Sequence, residues 1–449
     1  MQRLGYHATL FSSLAVALGG CTSDVVHTSE EAAGDGGASA ASSTGVGGGE
    51  TTDGFAGLVG FETSAMLYAL AVGSDGSIYL GLRFYGPAVF GGEPLNPTGG
   101  QDFALVKLDR WGQVEWAHSF GGLDDDYVHG LALAANGDLI ACGLTFGSLS
   151  LGGAELHPEW MSAFIARYTP SGAHVWSTLF DDMDFSSAED CVVDQQDRIL
   201  VAIDGDLDEQ TVLGAYSADG RLLWAATGQG SGFHSPGGVA VDDLGNLVVG
   251  ATLSGEIDLG TGPISSDGDA FDVLVTKYSP EGQPSWSTRV GGPDGDGVAD
   301  LVMDTSGIVV GGFADTIYIP NDPDFGVVTA TPFAALLGNE GQLLWTWLRD
   351  TGQIGETRAL VGNGQSGDIW AGGHETVDRL DQGFLVRLSP SGVELSSVAM
   401  TPGSSVTQLG RRDPWTIIAG GEYEGDVVID GTNVVGAGIF LLALDETAR

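Results

Sequence analysis

The chain has 449 residues, 73 of them Gly, with 60 Asp and Glu against 16 Lys and Arg for a formal net charge of −44. A chain this acidic repels phosphate backbones and anionic headgroups, which makes nucleic acid and anionic membrane surfaces poor partners. Three Cys are too few for a disulfide framework, and no Cys/His spacing fits a zinc site.

Residues 1–20 read as a lipoprotein signal peptide. Arg3 supplies the positive end, and ATLFSSLAVAL is an apolar run too short to cross a bilayer as a helix. The run ends in Leu18-Gly19-Gly20-Cys21, which resembles the bacterial lipobox. That resemblance implies cleavage before Cys21 and lipidation, palmitate included, of its thiol; a plain secretory signal is the alternative. Thr22 follows where Asp marks inner-membrane retention in enteric bacteria, which points to the outer membrane. Residues 21–53 are dominated by Gly, Ser, Ala and Thr and bury too little to offset their ordering entropy, so they form a flexible tether. No later apolar run is long enough to span a membrane as a helix.

From residue 54 the chain repeats itself, and three rulers mark the period. The first is a turn followed by Trp: DRWGQVEW (Trp116), TPSGAHVW (Trp176), SADGRLLW (Trp224), SPEGQPSW (Trp286) and GNEGQLLW (Trp345). A sixth copy, SPSGVELS, has lost the aromatic. Identical placement in every unit predicts packing between units rather than a ligand platform. The second ruler is a hairpin such as GVAVDDLGNLVVG, an alternating strand, an Asp/Asn/Gly turn and a continuous apolar strand, found seven times. The third is an apolar strand such as DFALVKLD or FDVLVTKY, also found seven times. Four strands per unit of this length predict an all-β, seven-bladed β-propeller of four-stranded blades over 54–449.

The chain stops at Arg449, just after the seventh third strand, and so lacks one outer strand. FAGLVGF (residues 55–61) has strand composition but no hairpin partner, so it is expected to complete the last blade and close the ring. The connections between second and third strands, such as YGPAVFGGEPLNPTGGQD, predict small hairpin flaps. Cys142 and Cys191 lie in apolar strands of different units and are expected to be buried thiols.

FGGLDDDYVHGLAL, its copy VGGPDGDGVADLVM, AVDDLGNLVVGAT and YSPEGQPSW together resemble the bacterial seven-bladed β-propeller repeat of exported lipoproteins of myxobacterial type. The resemblance covers roughly 54–449 and implies a propeller at the cell surface or facing the periplasm, with no catalytic residues to carry over. The turn-plus-Trp element is more distantly similar to the quinoprotein-type repeat, whose dehydrogenases carry an adjacent Cys pair absent from this chain.

Two sets of side chains are candidates for chemistry. Asp124, Asp125, Asp126, Asp204, Asp206, Asp208, Asp294, Asp296 and Asp300 sit in Gly-rich loops and could supply oxygens to calcium, although none forms a complete EF-hand loop. The same Asp and Gly also make turns, and both readings stand. Phe84, Tyr85, Trp160 and Tyr318 break the repeat and are the ligand-stacking candidates. The eight His are scattered, with no zinc-protease or serine-hydrolase motif. No cofactor is expected beyond calcium. The composite reading is a monomeric, lipid-anchored, non-catalytic module of the cell envelope that binds protein or glycan through its loop face. An enzyme acting on extracellular polysaccharide over the central channel is the alternative.

Overall fold

The computed structural model describes residues 57–446 except 181–184, 206–211, 231–232, 268–269, 293, 315–329 and 364, together with 43–44, 50–51 and 54–55. Cys21, Asp206, Asp208 and Tyr318 lie outside the described residues, as do the signal peptide and most of the tether.

The regular structure is β throughout, and the architecture is that of a β-propeller. Among the described residues, six four-stranded antiparallel sheets and one five-stranded sheet carry the chain. In order they are sheet A (66–120), B (126–180), C (186–227), D (233–290), E (296–348), F (355–398) and G (404–445 with 57–62). Each is a meander whose first strand forms one edge. The residue pattern follows from position. Second and third strands such as Leu139–Thr145 and Ser162–Tyr168 are buried along their whole length, because neighbouring sheets cover both faces. First strands such as Asp126–Leu133 alternate, and outer strands such as Val114–Phe120 are largely accessible.

The turn-plus-Trp repeat is a latch between sheets. The indole N–H of Trp116 donates to Pro170 O (3.1 Å), Trp176 to Ala218 O (2.9 Å), Trp224 to Pro280 O (3.2 Å), Trp286 to Asn339 O (2.9 Å) and Trp345 to Pro390 O (2.9 Å). Every acceptor lies in the corresponding turn of the next sheet. The turn glycine is needed twice over. Gly282 sits at φ +79°, and a Cβ there would come within 2.7 Å of the Trp224 ring. Trp286→Ala should remove one such hydrogen bond and a half-buried indole, costing about 2 kcal/mol by urea denaturation. A loss below about 0.5 kcal/mol would make the latch superficial.

Gly57–Glu62 pairs antiparallel with Thr432–Asp445, from Gly57 opposite Ala443 to Glu62 opposite Gly438. It thereby becomes the fourth strand of sheet G, with Leu58 and Phe61 buried. First strands contact in succession from A to G, and Ser404–Asp413 of sheet G also lies against Met66–Val72 of sheet A. Near the C-terminus the buried Glu446 accepts from Trp370 Nε1 (2.7 Å), Arg411 Nη2 (3.0 Å) and Asn363 Nδ2 (2.5 Å), tying sheet F to sheet G. Flap hairpins appear at 88–95 and 256–265, and the two long strands of sheet G extend to a turn at 430–431. Sheet F instead turns tightly through Asp378 and Arg379, with φ of +51° and +72°.

Candidate functional site

Every first strand contains a bulge at the same place. Pairing with the second strand skips one residue between 67 and 69, 128 and 130, 188 and 190, 236 and 238, 298 and 300, 357 and 359, and 406 and 408. The skipped residues are Tyr68, His129, Glu189, Gly237, Ala299, Arg358 and Thr407. A bulge leaves its extra residue out of the ladder and re-aims its side chain. The residue that follows often links sheets. Asp190 Oδ2 accepts from Val239 N (3.0 Å), Asp300 Oδ2 from Leu360 N (2.6 Å), and Gln408 Nε2 donates to Tyr68 O (2.8 Å).

Charge is distributed unevenly along this row. In sheets C and E the bulge region is acidic, with Glu189 and Asp190 on the first strand of C, Asp204 on its second strand and Asp300 on the first strand of E. His129 Nδ1 lies 3.4 Å from Glu189 Oε2 and 3.3 Å from Ser187 Oγ. Burial, with Arg83 nearby, pulls His129 down to about 4 although Glu189 stands beside its ring. Burial pushes Glu189 and Asp204 up to about 7, Asp190 to about 6 and Asp300 to about 8. Glu189 adds repulsion to Asp190 and Asp204, and Asp190 adds it to Asp300. Among the described residues no Lys or Arg forms an ion pair with any of the four. Glu189 nevertheless keeps 27% of its side chain accessible.

The remaining sheets are balanced. Arg83 Nη1 donates to Tyr68 OH (3.0 Å) and stacks 4.1 Å over the Tyr127 ring, which is itself parallel to His129. Burial opposes the charge on Arg358, but Glu356, Asp381 and Glu422 outweigh it and raise its pKa. Glu422 Oε1 also accepts from Leu67 N (3.0 Å), joining sheet G to sheet A.

The predicted site residues fall in separate places. Asp204 and Asp300 belong to the acidic bulge region. Asp124, Asp125 and Asp126 share one loop at the seam between sheets A and B, where Asp125 Oδ2 accepts from Tyr127 OH (2.7 Å) and Asp126 is buried. Asp294 and Asp296 stand at the seam between D and E, and Asp296 Oδ2 accepts from Gly292 N (2.7 Å). Among the described residues no group of three or more His, Cys, Asp or Glu is arranged to hold a metal. Phe84 corrects the expectation of an exposed aromatic: it ends the second strand of sheet A, is fully buried in the core and has no face for a ligand. Tyr85 and Trp160 are exposed, the latter tilted against Phe185 at 6.4 Å. Cys142 and Cys191 are buried thiols in one core cluster.

Sequence reasoning missed His129, Glu189, Asp190 and Arg358, because the first strand repeats while the residue type at the bulge position does not. It also missed Asp102 and Asp272, for which a signal exists: both open a third strand and precede a Lys by five positions. Two open clefts flank the A/B seam. One, of about 460 Å³, is lined by Leu95, His118, Leu151, Tyr168 and His174. The other, of about 440 Å³, is lined by Gly100, Leu123, Asp124, Asp125 and Phe146.

No family model matches the chain. No curated protein matches it either. Among solved structures, hydrazine synthase of Kuenenia stuttgartiensis superposes with a TM-score of 0.51 at 10% identity, over 80% of this chain and 93% of that one. The WD40 β-propeller domain of Doa1 gives 0.47 at 10% identity, over 86% and 95%. YCF48 bound to D1 peptide gives 0.43 at 10% identity, over 86% and 93%. At such identities the likeness concerns the fold alone.

Proposed function

We propose that this chain is a lipid-anchored, non-catalytic binding module of the bacterial cell envelope, at the outer membrane. It is a monomer of seven blades closed in a ring, carried on the 21–53 tether, and it belongs with the exported propeller repeats that its sequence resembles. The pairing of Gly57–Glu62 with Thr432–Asp445 and the contact of sheet G with sheet A support the closed ring. The ligand is a protein that presents a cationic side chain, Lys or Arg, to the axial passage. One observation carries this reading: among the described residues Glu189, Asp190, Asp204 and Asp300 repel one another and none is ion-paired to a Lys or Arg, His129 beside Glu189 being their one basic neighbour. Such a set of carboxyls has unused electrostatic attraction, which a positive ligand group would satisfy at little reorganisation cost.

A lysine-rich decapeptide titrated by calorimetry into the full chain at low salt is the direct test. Binding should be lost when the peptide lysines are acetylated, and Glu189→Gln should weaken it at least tenfold. Equal affinity for acetylated peptide, or an unaffected variant, would remove the cationic-ligand reading. The alternative, a polysaccharide-acting enzyme, draws on Glu189 and Asp204, whose raised pKa values of about 7 suit a general acid. Release of reducing ends that disappears in Glu189→Gln would replace the module with the enzyme.

A further inference from the structure

We propose that the seam between sheets A and B holds a calcium-type divalent cation between Asp102 and Asp126. The site is independent of those four carboxyls. It rests on a comparison of four seams made equivalent by one backbone hydrogen bond, from the residue opening a first strand to the residue before the preceding third strand. Asp126 N donates to Gln101 O (2.7 Å), Ser186 N to Met161 O (3.2 Å), Asp296 N to Phe271 O (2.8 Å) and Gly355 N to Ala330 O (2.7 Å). The facing pairs are therefore Asp102/Asp126, Ser162/Ser186, Asp272/Asp296 and Thr331/Gly355.

At the Ser seam the problem is solved with a neutral hydroxyl. Ser186 Oγ accepts from Ala163 N (2.9 Å) and donates to Phe180 O (2.9 Å). At the D/E seam a cation is built in, since Arg289 Nη1 reaches Asp272 Oδ2 at 3.1 Å. The residue at Arg289's register position in sheet A is Ser119. The A/B seam thus places two carboxylates, each 1% exposed, side by side, and among the described residues no Lys, Arg or His is ion-paired to either. Asp124 and Asp125 of the adjoining loop add negative charge.

The oxygen geometry is directional. Asp102 Oδ2 accepts from Thr98 N (2.7 Å) and Asp126 Oδ2 from Gly122 N (2.7 Å). Oδ1 of each is buried without a hydrogen-bond partner. Two more oxygens stand close by. Thr145 Oγ1 lies within hydrogen-bond reach of Asp126 and also meets Gly147 O (2.8 Å) and Gly147 N (3.4 Å), and Ser148 O faces Gly122. The chain passes these groups as Gly121-Gly122, and a Cβ at Gly121 would collide with the Asp102 carboxylate. Two carboxylate oxygens, a hydroxyl and a carbonyl are the ligand types of a hard cation, with water completing the shell. The cleft of Gly100, Leu123, Asp124 and Asp125 opens over the seam and gives an ion its way in. Protonation of the pair is the competing solution, and burial does raise both carboxyls, Asp126 to about 6.

The experiment is terbium and calcium titration of the full chain at pH 7.5, with thermal melts in 5 mM calcium and in chelator. The expected result is a calcium-displaceable terbium signal of one ion per chain, with a dissociation constant of about 10⁻⁵ to 10⁻³ M and a Tm several degrees higher in calcium. Asp102→Asn with Asp126→Asn should abolish both effects, whereas Asp272→Asn should keep them. Should the double variant fail to fold, the wild-type stoichiometry decides. No ion bound by the wild type at 5 mM, with identical melts, overturns the site. Melts that respond only to pH identify a protonated pair instead and overturn it equally.

Discussion

Deleting residues 54–62 should cost on the order of 5 kcal/mol or more, the largest effect of any small change to this chain. Two terms combine. Leu58 and Phe61 are 3% and 2% exposed, and their loss leaves voids in two separate core clusters, one shared with sheet A and one with sheets F and G. Phe61 also packs against the Phe90 ring at 5.9 Å, so the flap of sheet A loses its anchor. The strand Thr432–Asp445 would then present a row of unpaired backbone groups, an edge open to association with another chain. Equilibrium urea denaturation of the truncated chain should show a much lower midpoint, and sedimentation should show self-association. A truncated protein that melts with the parent would mean that the 57–62 pairing contributes nothing to closure. The milder variant Phe61→Ala should lose about 3 kcal/mol and separate the packing term from the edge term.

Stability should fall as pH rises from 5.5 to 8.5, opposite to the usual behaviour of an acidic protein whose carboxylates are paired. A carboxyl whose folded pKa is raised stabilises the native state fully below its unfolded value near 4, and that contribution disappears as pH passes through the folded value. Asp126 and Asp190 are lifted to about 6, Glu189 and Asp204 to about 7 and Asp300 to about 8, so the losing window runs from about pH 4 to 8. Asp75 and Asp242 are lowered and act in the opposite sense near and below pH 4, and the lowered His129, His174 and His374 act in that sense up to about pH 6.5, so the net fall is concentrated above that pH. Each proton retained by the native state is worth about 1.4 kcal/mol per pH unit, and mutual coupling spreads the release. A net loss on the order of 3–5 kcal/mol between pH 5.5 and 8.5 is expected from urea midpoints at fixed ionic strength. Glu189→Gln should flatten the profile, and a bound cationic peptide should flatten it too by favouring the ionised carboxyls. A flat or rising wild-type profile would show that these carboxyls are ionised without cost, and the electrostatic case for a cationic ligand would fall with it.

The sequence by itself determined whatever rests on short-range rules. Alternation, turn residues and continuous apolar runs locate the first hairpin of every sheet, because turn geometry and strand alternation are settled within about ten residues. The missing outer strand and FAGLVGF are a matching deficit and surplus, so the 57–62 pairing was legible as well. The repeated Trp declared itself a packing element by recurring, and its docking on the next turn follows that pattern. Only the tertiary structure decided the sites. The bulge residues Tyr68, His129, Glu189, Gly237, Ala299, Arg358 and Thr407 share no chemical type, so no repeat could flag them. Their common position comes from one backbone irregularity used in each first strand. Asp102 faces Asp126 across two sheets and 24 residues of chain, while Asp124 and Asp125, adjacent in sequence to Asp126, stay in the surface loop. Phe84 reads as a flap aromatic in sequence, yet the flap folds over it and removes it from solvent. Local patterns choose strands. Which carboxylates are stripped of water and left to find a cation depends on what neighbouring sheets bring against them, and that is a long-range property of packing.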